Sequence, residues 1–168
     1  MNGKLQQDKE IADASRCIHV LFVCTGNICR SPTAEAIFRK LVAGAGMEEE
    51  VTADSAGTHG YHVGEPPDPR AQKAAAKRGY DLSALRARTI EDADFQRFDL
   101  ILAMDQEHYA ILSRSAGSSA GHKLKLMMSY ARRFAEKEVP DPYYGGPQGF
   151  ERVLDMLEDA AQGLLESL

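Results

Sequence analysis

Cys24 and Arg30 stand six positions apart in the run Val20-Leu-Phe-Val-Cys24-Thr-Gly-Asn-Ile-Cys29-Arg30-Ser31-Pro32. One short turn can therefore hold a sulfur nucleophile beside a planar cation. A free thiol titrates near ~8.5, whereas cysteines beside arginine or at a helix N-terminus fall to roughly 3.5–7.5 and are thiolates at neutral pH. An arginine fork grips two phosphoryl oxygens at once and follows their charge into a transition state. The backbone N–H groups of Thr25, Gly26, Asn27, Ile28, Cys29 and Arg30 would line one concavity, the kind of cradle that holds a dianion without many cationic side chains. Gly26 permits close backbone approach or a positive φ, and Asn27 is among the few other residue types that tolerate a left-handed conformation.

The flanking elements must position this loop. The apolar, β-branched run Ile18–Val23 reads as a buried strand of a parallel sheet, and Pro32, with Ser31 as its cap, reads as the opening of a helix. The order strand, loop, helix puts Cys24 at a strand's carboxyl end, where α/β sheets bind ligands. Taken alone, the two loop cysteines would be small packing residues and Arg30 a surface charge, but the surrounding Thr-Gly-Asn and Ser-Pro favour chemistry. The cysteine spacing lacks the second ligand pair of a zinc site, and the nucleotide-loop pattern GxxxxGK[ST] is absent.

The segment Cys24–Pro32 resembles the CxGNxCRSP motif of the low-molecular-weight protein tyrosine phosphatase family. Ala53-Asp-Ser-Ala-Gly57, Pro67-Asp-Pro-Arg70, Phe98-Asp-Leu-Ile-Leu-Ala-Met-Asp105 and Asp141-Pro-Tyr-Tyr-Gly-Gly146 follow in the family's order, so the likeness runs from about His19 to the C-terminus. The resemblance implies a phosphotyrosine phosphatase working through a phosphocysteine intermediate. In it Cys24 is the nucleophile, Arg30 the phosphate clamp, Ser31 the hydroxyl that stabilises the sulfur, and Asn27 a brace. It makes Asp141 the general acid and then general base, a role the chemistry asks for independently, since a positioned acid gives about 10²–10⁴-fold. Tyr143 and Tyr144, with Tyr61, would wall an aryl slot. Ile28, where relatives acting on phosphoarginine carry threonine, would give it an apolar floor. Cys29 is expected to guard Cys24 through a reversible disulfide. Arg78 stands where many eukaryotic relatives carry a histidine that supports the loop serine. No cofactor or metal is implied.

Composition agrees with one domain over residues 18–168, preceded by a polar extension over 1–17. Three cysteines, two of them in the reactive loop, point to a reducing, cytoplasmic setting, with signal-less secretion left open. The apolar runs are too short for membrane insertion, and no secretory signal is expected in Met1–Arg16. A net charge of −5 argues against nucleic-acid binding. Arg86, Arg88, Arg132 and Arg133 read as solvated faces, one of which could receive an acidic substrate segment. His19, His59, His62, His108 and His122 read as surface or packing residues. The expected partner is a phosphotyrosine protein, a bacterial tyrosine kinase or host protein among the candidates, met by a monomer or weak dimer. The rivals are an arsenate reductase, which needs cysteines downstream of Cys29, a phosphoarginine phosphatase, and a non-catalytic phosphotyrosine-binding module.

Strands are expected near residues 18–24, 51–55, 99–104 and 122–127, and helices near 32–45, 69–79, 90–96, 106–113 and 148–166, with a loose loop over 113–121. Their alternation predicts a three-layer α/β/α, flavodoxin-like fold around a four-stranded parallel sheet, with the phosphate loop after the first strand.

Overall fold

The computed structural model describes residues 17–168, so the extension expected over 1–17 falls outside the described residues but for Cys17. Four strands, β1 (Ile18–Cys24), β2 (Val51–Gly57), β3 (Leu100–Ala103) and β4 (Leu124–Leu126), form one sheet in the order β2-β1-β3-β4. All pairings are parallel. The helices are α1 (Arg30–Gly44), α2 (Pro69–Lys77), α3 (Asp94–Arg97), α4 (Gln106–Ala120) and α5 (Pro147–Ser167).

β1 is covered on both faces, which is why Val20–Val23 are uniformly apolar and fully buried. Val20, Phe22 and Cys24 face the layer built by Ile37 and Phe38 of α1 and Val153, Leu157 and Leu164 of α5. Leu21 and Val23 face the opposite layer, with Phe95, Phe98 and Leu112. The fold is thus the three-layer, flavodoxin-like α/β/α arrangement. The reversal of strand order beside β1 opens a crevice at its carboxyl end.

Capping residues set the helix that follows β2. Asp68 accepts the N–H of Arg70 at 2.8 Å, Pro69 occupies the first turn, and Gly79 ends the segment at φ +84°. Three expectations change. Residues 88–90 run extended beside β2, the Ile90 N–H donating to Gly57 O at 2.9 Å, so the helix expected over 90–96 shrinks to the single turn of α3. Residues 113–121 are helical on both sides of a break at Gly117 (φ +67°), because Ala116 and Ala120 pack onto the sheet. Ser31 does not cap α1; Cys29 holds that position, and the Ser31 hydroxyl points into the phosphate loop.

Candidate active site

The turn from β1 into α1 is built around one left-handed residue, Asn27, at φ +57°. Gly26 instead serves close approach: a Cβ there would sit 2.9 Å from the His62 ring. Asn27 is buried and fully engaged. Its Nδ2 donates to Ser31 Oγ at 2.8 Å and Ser55 Oγ at 2.9 Å, while its Oδ1 accepts the Arg88 N–H at 3.0 Å. Ser55 in turn donates to Glu35 at 2.8 Å. The loop is therefore laced to β2, to α1 and to the strand-like segment at Arg88. Burial raises the pKa of Glu35 above the ordinary carboxylate value.

Cys24 Sγ and Ser31 Oγ are 2.9 Å apart, both groups being buried. Because Asn27 supplies a donor to the same hydroxyl, Ser31 is free to turn its own proton toward the sulfur. Burial, then Asp68 and Cys24, push the Cys29 thiol well above its ordinary value, so it remains protonated.

Arg30 is held from behind. Its Nη1 donates to Asp105 Oδ2 at 2.9 Å and to the Val139 carbonyl at 3.0 Å. Among the described residues its Nε and Nη2 donate to no group, which leaves a fork for two oxygens. Asp141 lies across the opening, its Oδ2 3.9 Å from Arg30 Nη2 and its Oδ1 accepting the Tyr143 N–H at 3.0 Å.

A cavity of about 230 Å³ collects Cys24, Thr25, Gly26, Ile28, Cys29, Arg30 and Asp141 on its floor and sides, with Tyr61, Tyr143 and Tyr144 at its rim. Tyr143 and Tyr144 meet edge to face, centroids 4.9 Å apart, and Tyr61 stacks on His59 at 5.2 Å. Of the residues singled out in the sequence, Asn27 and Ser31 do not line the cavity; their side chains bond to each other away from it. The volume suits one aromatic ring and its phosphate.

Sequence reasoning missed several members. Asp105 follows the last residues of β3, a carboxyl-end position that could have flagged it; it also caps α4, accepting the His108 N–H at 2.9 Å. His108, read from sequence as a surface or packing residue, is buried, and its Nε2 lies 2.7 Å from Thr25 Oγ1. Burial and then Arg30 pull its pKa down to about 4, so it is neutral at neutral pH. His62, also read as surface or packing, lines the cavity and pairs with Glu65 at 2.8 Å. Arg78 does not take the place of the second-helix histidine. It turns to α5, reaching Glu151 at 2.6 Å, Asp155 at 2.8 Å, and Glu158. Of the arginine clusters, Arg88 is half-buried and pairs with Asp54 and Asp94, whereas Arg86, Arg132 and Arg133 lie on exposed faces, Arg132 beside Glu166 and Arg133 beside Asp159.

Residues 19–168 match the family model for low molecular weight phosphotyrosine protein phosphatase. A Streptomyces coelicolor protein named low molecular weight protein-tyrosine-phosphatase is 48% identical over 89% of this chain and 92% of its own length. The human low molecular weight phosphotyrosine protein phosphatase is 42% identical over 88% of this chain and 93% of its own length. The crystal structure of an Entamoeba histolytica protein tyrosine phosphatase, with Hepes in its active site, superposes with a TM-score of 0.87 at 41% identity, covering 89% of this chain and 96% of that one.

Proposed function

Because the chain belongs to the low molecular weight phosphotyrosine protein phosphatase family, a family of hydrolases, we propose that it hydrolyses phosphotyrosine in proteins through a phosphocysteine intermediate. The observation that carries this reading is the convergence of Cys24, Arg30 and Asp141 on one cavity with aromatic walls. The Cys24 thiolate attacks phosphorus as the bond to the phenolic oxygen breaks. Asp141, protonated at that moment, delivers its proton to the departing phenolate. Asp141 then takes a proton from water, whose oxygen attacks phosphorus; the P–S bond breaks and orthophosphate leaves. Arg30 holds two phosphoryl oxygens through both steps, and Ser31 stabilises the sulfur each time it carries charge. Thr25 to Arg30 offer their backbone N–H groups to the remaining oxygens.

The aryl slot of Tyr61, Tyr143 and Tyr144, floored by Ile28, favours a tyrosine ring over a guanidinium. An arsenate-reductase relay lacks its downstream cysteines, since none follows Cys29, and a pure binding module has no use for an acid at Asp141. Cys29, in the same cavity as Cys24, fits a resolving thiol for an oxidised nucleophile. Such chemistry suits a reducing compartment; no described helix is long and apolar enough to cross a membrane. We take residues 18–168 as one catalytic domain.

Hydrolysis of p-nitrophenyl phosphate in the presence of a chelator tests the reading. Cys24→Ser should abolish turnover and Asp141→Asn should slow it about 10²–10⁴-fold. Full activity in Cys24→Ser would overturn the mechanism.

A further inference from the structure

Beside the catalytic cavity lies a second one of about 310 Å³, between α2 and the start of α5. Its wall on α2 carries Arg70, Lys73 and Lys77, spaced i, i+3 and i+7 on one face, over an apolar floor that includes Ala74 and Phe150. Arg70 links this groove to the catalytic cavity: its guanidinium lies 5.0 Å from the ring centroid of Phe150 in the groove and 5.2 Å from that of Tyr143, a wall of the catalytic slot.

Charge in this groove is unbalanced. The groove's lining holds three cations, Arg70, Lys73 and Lys77, and one carboxylate, Glu151; Arg70 pairs with Asp68 at 2.8 Å, and Glu151 with Arg78 at 2.6 Å, a guanidinium it shares with Asp155 and Glu158. Lys73 and Lys77 are exposed, and among the described residues neither ammonium group takes part in an ion pair or hydrogen bond. In a chain of net charge −5, two unpaired cations beside the substrate slot make a local patch attractive to acidic groups. From Arg70 to Lys77 the helix rises about 10 Å, the span of about three residues of extended peptide.

We propose that this groove docks acidic side chains that the substrate carries within about three residues of its phosphotyrosine, so that the site selects acidic phosphotyrosyl segments. The proposal rests on the phosphatase reading. With the aryl phosphate in the slot, the peptide passes over the edge shared by Tyr143 and Arg70. Its carboxylates then meet the ammonium groups of Lys73 and Lys77, while its stems lie on Ala74 and Phe150. The selection acts on substrate capture and not on the bond-breaking steps.

The test compares phosphotyrosyl peptides of equal length with acidic or neutral residues on each side, and p-nitrophenyl phosphate. The wild-type protein should favour an acidic flank in kcat/KM by about fivefold at low salt, mostly through KM, because two exposed ion pairs are each worth little. The preference should shrink as salt is added. It should vanish in Lys73→Gln/Lys77→Gln and invert in Lys73→Glu/Lys77→Glu, with p-nitrophenyl phosphate turnover unchanged in both. Absence of any flank preference in the wild type, or its survival in the double variants, would overturn the groove while leaving the phosphatase standing. Failure of the wild type to turn over p-nitrophenyl phosphate would instead remove the reading on which the groove depends.

Discussion

A neutral imidazole beside a buried arginine is the arrangement at His108 that most directly ties protonation to stability. In the unfolded chain the ring titrates near 6.5, and in the fold at about 4. Between those values the unfolded state binds the extra proton, so this residue's contribution is complete above pH 6.5 and is lost as pH falls through about 4. Glu35 works in the opposite sense: its raised pKa means its contribution is present below the ordinary carboxylate value and declines as pH rises past it. His108→Gln removes the titration and keeps an amide that can reach Thr25. The fall in Tm from pH 6.5 to 4 should therefore be shallower in the variant; identical slopes would show that His108 does not carry the acid sensitivity. His108 was hard to read from sequence because a lone histidine has no spacing to give it away. The placement of Cys24, Arg30 and Asn27 in one turn was legible because it depends on neighbours in the chain. Asp105 acts on Arg30 across 75 positions, and only the fold supplies that adjacency.

The alternation of strands and helices was legible at the level of elements because β1 and α5 are long and strongly patterned. Boundaries were lost where tertiary pairing outweighed local propensity, as at Arg88–Ile90, whose backbone bonds to Gly57 in place of forming a helix. Gly57 shows how one element positions another. It pairs with Cys24 in the register of β1 and β2, and a Cβ there would lie 2.7 Å from Thr25 O and 3.2 Å from Gly26 C. β2 thus presents a bare backbone against which the phosphate loop rests. Gly57→Ala must push that loop away or strain the strand, at about 1–3 kcal/mol. The expected result is a lowered Tm together with a fall in kcat/KM toward p-nitrophenyl phosphate; unchanged activity would mean that the loop's shape does not depend on this contact.

Across the whole molecule, Arg78 fastens the end of α2 to α5 through Glu151, Asp155 and Glu158. Partly exposed pairs are worth about 0.2–1 kcal/mol each, so Arg78→Ala should lower Tm by a few degrees, less so at high salt, with kcat unaltered. A loss of kcat at full stability would assign Arg78 to the catalytic loop after all. The sequence had left this open, since the position of Arg78 says where the chain is but not which way a long side chain turns. One further consequence comes from the rim of the cavity. Tyr61 belongs to the segment after β2, and Tyr143 and Tyr144 to the segment before α5, some eighty residues later in the chain. A tyrosyl ring seated between them would act as a mechanical clasp, closing the molecule across its own mouth. Each turnover would then unfasten what the substrate had joined, and the enzyme would be stiffest while occupied.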